Sequence, residues 1–175
     1  MNHPQHVNAE CKWSDPRISQ VLMNATLAVG AIGYFMGFWI MGSDGSRAAI
    51  GPVALLSVGV VGLLSLVRHS VFHRSDAVRM GWDQGRRNNF QLEVGFANCA
   101  IGLPAILAVA FDWGVAVESA FVLAYALYFA QVAVLVLIDR GSDGLNHKRL
   151  VLILMQSGLL GYFALSAIFG STPTP

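Results

Sequence analysis

His69 and His73 stand four residues apart, a spacing that on one helix puts both imidazoles on the same face. Such a pair could hold a metal ion or a haem iron; no third ligand stands out in the sequence, although Glu93, Asp76 or His147 could approach. The neighbouring Arg68 and Arg74 oppose a cation there, and the plainer reading is two histidines complementing the carbonyl end of a helix. Met1-Asn2-His3, with His6 and Cys11 nearby, could chelate Cu(II) or Ni(II), or could simply be a loose tail.

Glu93 opens a second line of chemistry. A carboxyl group inside a membrane needs a cationic partner or a proton, and Arg68, Arg86 and Arg87 approach from the same side. A proton or ion relay, or the polar end of a ligand cavity, would use it. The alternative is helix-end chemistry, an acid in the first turns of a helix with Asn88 and Gln91 at capping-box spacing. Gln91, Gly95, Asn98 and Gly102 share one helical face, and Glu93, Ala97, Ala100 and Pro104 share nearly the opposite one. Asn98 could bridge helices by hydrogen bonds. Further on, Glu118, Phe121, Tyr125 and Tyr128 lie on one face, where the two tyrosines could line a hydrophobic cavity or pack as core.

The elements that position these residues are five long apolar runs, Ile18–Met41, Ala49–Phe72, Phe90–Phe111, Val115–Ile138 and Leu150–Phe169. Each meets the roughly 20 residues that a bilayer crossing requires. With 55% hydrophobic and 12% charged residues, the chain cannot be a soluble globular or disordered protein. The expectation is an all-α integral membrane bundle of five transmembrane helices. Residues 1–17 form an inner tail, 18–170 a single domain and 171–175 a short outer tail. Two faces of small and polar residues favour burial of the third span in the middle of the bundle. Gly30, Gly33 and Gly37, Gly59 and Gly62, and Gly158 and Gly161 let helix backbones approach within it.

Orientation follows from the basic residues. Lys12 and Arg17, then Arg68, Arg74, Arg79, Arg86 and Arg87, then Arg140, Lys148 and Arg149 share one side, leaving Arg47 on the other. Basic residues in short loops stay inside, so the N-terminus is expected in the cytoplasm and the C-terminus outside, in a bacterial inner membrane. Arg79, Arg86 and Arg87 suit anionic lipid headgroups. The patch is too small and too close to the membrane for nucleic acid. No nucleotide, zinc-protease or nucleophile-elbow motif is present in the sequence, and no cofactor is expected apart from the metal or haem that His69 and His73 could bind. Cys11 and Cys99 fall in places unsuited to a disulfide. Gly42-Ser43-Asp44-Gly45 and Gly141-Ser142-Asp143-Gly144 lie on opposite sides and read as turn chemistry rather than as a repeat.

Met80-Gly81-Trp82, followed by Phe90-Gln91-Leu92-Glu93-Val94-Gly95-Phe96-Ala97-Asn98, resembles a family of small bacterial membrane proteins of unknown function. Its members look like bundles with a Gly-Trp loop and a Phe-Gln-x-Glu-x-Gly-x-Ala-Asn helix start. The resemblance implies that Gln91, Glu93 and Asn98 act as a unit. It departs from the family at Arg86-Arg87-Asn88-Asn89, where relatives place a proline, and in Val115–Ile138, which has no histidine.

Three functions fit these residues. The first is a non-enzymatic accessory subunit that packs with other membrane subunits or with itself. The second is a small carrier or channel built on Glu93, Gln91 and Asn98. The third is a membrane metal or haem protein using His69 and His73.

Overall fold

The structure, a computed structural model, describes residues 14–81, 83, 89–138 and 145–170. Helices α1 (Pro16–Asp44), α2 (Ser46–Val71), α4 (Asn89–Ala110), α5 (Val115–Ile138) and α6 (His147–Phe169) are each long and apolar enough to cross a membrane. At 1.5 Å per residue the 22 residues of α4 span about 33 Å, against a hydrocarbon core of about 30 Å. The short α3 (His73–Met80) lies at one end, and no strand occurs among the described residues.

Local chemistry sets the ends of these helices. Asp15 caps α1 by accepting the backbone N–H of Arg17 at 2.9 Å, and Pro16 supplies a first residue whose missing N–H costs nothing. Gly45, at φ 87°, is the single residue between α1 and α2. Asp112 (φ 50°) and Gly114 (φ 90°) turn the chain tightly from α4 into α5. Asn146 caps α6 by accepting from Arg149 N at 3.0 Å.

Helix α2 is irregular. Pro52 cannot donate to the preceding turn, and the helix then runs in wide π turns over Val53–Val60 and again over Val67–Val71. It stops at Phe72 (φ −103°, ψ 30°), and the chain turns into α3.

It is α2, not α4, that sits at the centre. Half of its most apolar stretch (50%) is buried against 33% for α4, and it packs on α1, α4, α5 and α6. The reason is backbone approach. A Cβ on Gly62 would lie 2.7 Å from the Asn98 carbonyl, and one on Gly102 would lie 2.9 Å from the Gly59 carbonyl, so α2 and α4 touch main chain to main chain. On α1, Gly33 and Gly37 admit Ser57, Val53 and Phe163 in the same way. Gly158 and Gly161 behave differently from expectation. Both face open space, so α6 does not use them for packing inside the bundle.

The core gathers Ile50, Val53, Val58, Val61, Val122, Tyr125, Leu160 and Phe163. Large apolar side chains also cover the outside, among them Phe35, Trp39, Phe96, Leu135 and Ile138. A surface this apolar is what contact with lipid or another membrane helix requires.

Candidate functional site

The break at Phe72 turns α3 against the beginning of α1. There Ser75 Oγ accepts the backbone N–H of Ser19 at 2.9 Å and donates to the Asp15 carbonyl at 2.5 Å, so its hydroxyl inserts into the first turn of α1. This staple buries the next residue, Asp76, completely.

Four elements supply its partners. Ser19 Oγ on α1 and Arg79 Nη2 on α3 donate to Asp76 Oδ1, the latter at 2.9 Å. His69 Nδ1 on α2 lies 2.9 Å from Oδ2, bent away from an ideal hydrogen-bond line. Gln91 Nε2 on α4 reaches Oδ2 at 3.4 Å. Arg79 Nε also donates to Ser19 Oγ at 3.0 Å, and Arg68 Nε stands 3.7 Å from Oδ1. Burial by itself would raise the Asp76 carboxyl, but the close approach of His69 and the hydrogen bonds from Ser19 and Arg79 outweigh it and hold it well below the usual carboxylate range.

The protonation pattern follows from donor chemistry. Arg68 Nη2 is 2.7 Å from His69 Nε2. A guanidinium only donates, so Nε2 is the accepting nitrogen and the imidazole proton sits on Nδ1, facing Asp76. The result is a buried carboxylate–imidazole–guanidinium chain.

A second polar layer lies deeper along α4. Tyr125 Oη donates to Asn98 Oδ1 at 2.6 Å, while Asn98 Nδ2 donates to the Val94 carbonyl at 2.7 Å and to Tyr128 Oη at 3.3 Å. The two tyrosine rings stack at 5.8 Å. Asn98 and Gln91 lie on the same buried face of α4, which places this layer about two helical turns from the Asp76 cluster. Beyond it the buried Tyr34 Oη and Ser119 Oγ have no hydrogen-bond partner among the described residues, and Glu118 is buried near the opposite end of the bundle. Polar groups therefore recur along the bundle interior.

The structure brings together Arg68, His69, Gln91, Asn98, Tyr125 and Tyr128. Glu93 is left out, exposed on the face of α4 that points away from the cluster. His73 diverges from His69 because the helix ends between them; its Nδ1 meets the Ser70 carbonyl at 3.1 Å. Among the described residues no group of three His, Cys, Asp or Glu is arranged to hold a metal ion. Arg79, expected at lipid headgroups, turns inward to Asp76 and Ser19. Arg86 and Arg87 lie outside the described residues, as do Asn88, Arg140, residues 141–144 and the Met1-Asn2-His3, His6 and Cys11 group.

Sequence reasoning missed Ser19, Ser75 and the central part of Asp76, which it weighed only as a possible third metal ligand. The available signal was an acid seven residues after His69 and three before Arg79, inside an otherwise basic stretch.

No curated protein and no solved structure matches the chain. A family model matches residues 45–141, which is more than half of the chain and runs from the start of α2 to the end of α5. The match takes in the whole polar cluster apart from Ser19 on α1. The chain thus belongs to DUF6790, a family of unknown function.

Proposed function

We propose that this protein is a small membrane carrier whose translocation path begins at the Asp76 cluster and continues through Asn98, Tyr125 and Tyr128. One observation carries the reading: a fully buried carboxylate joined to an imidazole and two guanidinium groups, beside a deeper layer of hydroxyl and amide groups. Ionisable side chains within a helical membrane bundle are costly, and substrate or proton pathways are their usual reason for being there. The wide π turns that carry Arg68 and His69 also support it, since such turns recur at functional sites. The basic residues at the α3 end support an orientation with that end in the cytoplasm of a bacterial inner membrane.

The test is ion flux in proteoliposomes. Wild-type protein should discharge an imposed proton gradient, and Asp76→Asn, reconstituted from the fraction that stays folded, should abolish that discharge. Equal leakage with wild type, Asp76→Asn and empty vesicles removes the reading.

A second reading, an accessory subunit in a larger membrane assembly, is favoured by Glu93. It lies on an outward face of α4 that also exposes Phe90 and Phe96, where a neighbouring helix with a donor would cover it. Purification in mild detergent should then recover a constant partner or an oligomer, and a lone monomer counts against it.

A further inference from the structure

We propose that His69 and Arg68 form a proton-coupled oxyanion site, in which a proton arriving on His69 releases Arg68 to bind a small anion. The proposal rests on the carrier reading and specifies what is carried.

Three observations lead to it. First, Nε2 of His69 has one lone pair, and Arg68 Nη2 occupies it at 2.7 Å. Protonation places a hydrogen on that nitrogen, two donors then face each other, and Arg68 has to leave. Second, Asp76 holds Arg68 only as an ion pair at 3.7 Å and not by a hydrogen bond, because Oδ1 already accepts from Ser19 and Arg79. Third, donors for a guest remain unmatched: Arg68 Nε and Ser70 Oγ are buried without a hydrogen-bond partner among the described residues.

Charge gives the sign. The groups facing His69 are Arg68 on its own helix and Asp76 and Arg79 on α3. Helix α4 presents the neutral Gln91 and Asn98, α5 presents Tyr125 and Tyr128 toward Arg68, and α1 presents the Ser19 hydroxyl. With neutral His69 the charged groups leave one net positive charge, and a proton on His69 adds another. A buried excess of positive charge is unfavourable unless an anion enters, and a freed guanidinium is the side chain best shaped for an oxyanion. The anion is a free carboxylate, sulfate or phosphate, or the phosphate of a lipid headgroup, all of which share that chemistry.

The experiment uses the full chain in phosphatidylcholine nanodiscs with sulfate as probe, because the charge of sulfate is constant through the range examined. Affinity is measured at about pH 4.5 and about pH 8, a span that reaches well below the ordinary imidazole value of about 6.5. Wild type should bind sulfate about tenfold more tightly at the lower pH, a coupling of ordinary size. In weakly buffered solution, each sulfate bound near neutral pH should draw in up to about one proton. His69→Gln keeps an acceptor for Arg68 but cannot be protonated there, so its binding should be weak and equal at both values. Nanodiscs containing phosphatidylglycerol separate the sources: unchanged sulfate affinity assigns a soluble anion, and displacement of sulfate assigns the headgroup. Wild-type binding that ignores pH, takes up no proton or fails in every lipid overturns the proposal, as does pH-dependent binding that persists in His69→Gln. Proton-coupled binding without flux would keep this site and remove the carrier reading; flux without proton-coupled binding would do the reverse.

Discussion

Arg68 Nη2 stands 2.7 Å from His69 Nε2, while the other nitrogen of the same ring faces Asp76 at 2.9 Å. The imidazole is therefore held between a cation and an anion, and its two nitrogens have fixed and opposite roles. Neither neighbour can be altered without changing what the ring can do.

Replacing Asp76 should be costly even with an isosteric side chain. Asp76→Asn leaves Arg79 and Arg68 facing a neutral amide in a buried place, and breaking a buried pair from one side costs about 3 kcal/mol or more. Thermal unfolding in detergent should show a clear loss, whereas Glu93→Gln, at an exposed position, should stay within about 0.5 kcal/mol of wild type.

Acid should reach Asp76 late. Its folded value is lowered, so the carboxylate contributes stability above the unfolded value of about 3.9, and this is lost only as pH falls through the lower folded value. Infrared spectra should show no protonated Asp76 carboxyl, identified by comparison with Asp76→Asn, until the pH is well below about 4.

Tyr125→Phe removes the donor to Asn98 Oδ1 without changing the stacked ring. Hydrogen bonds between membrane helices contribute on the order of 1 kcal/mol, and unfolding should report a loss of that size. A change near zero would mean that Asn98 finds another donor.

Glycine positions offer an internal contrast. Gly62→Ala would press a methyl group into the Asn98 carbonyl and Gly102 backbone, at a cost of about 1–3 kcal/mol. Gly158→Ala meets nothing within 4 Å and should be neutral or stabilising by up to about 1 kcal/mol, through helix propensity alone. Paired melting curves decide both.

How much of this could be read in advance depended on whether a signal was periodic. The stripe of Gln91, Gly95, Asn98 and Gly102 is buried along its whole length, because a 3.6-residue repeat survives folding. The same repeat could not say which of two small-residue faces would meet a neighbour, and the face with Glu93 turned outward. The boundaries of Val115–Ile138 agree with expectation, since an apolar run bounded by turns has few alternatives. Helix α3 was hidden, being eight residues without an apolar period and following a break at Phe72 that neither glycine nor proline announces. Asp76 went unrecognised with it. Its importance comes from Ser19, a residue 57 positions earlier in the chain, and local pattern does not report such a meeting.

The clasp between α1 and α3 also orders events during synthesis. Helix α1 leaves the ribosome before Ser75 and Asp76, which follow only after the whole of α2 has been made. Until then α1 can be held only through its small-residue contacts with α2. Helix α1 is thus made before every side chain that clasps its start and is among the last to be locked in place.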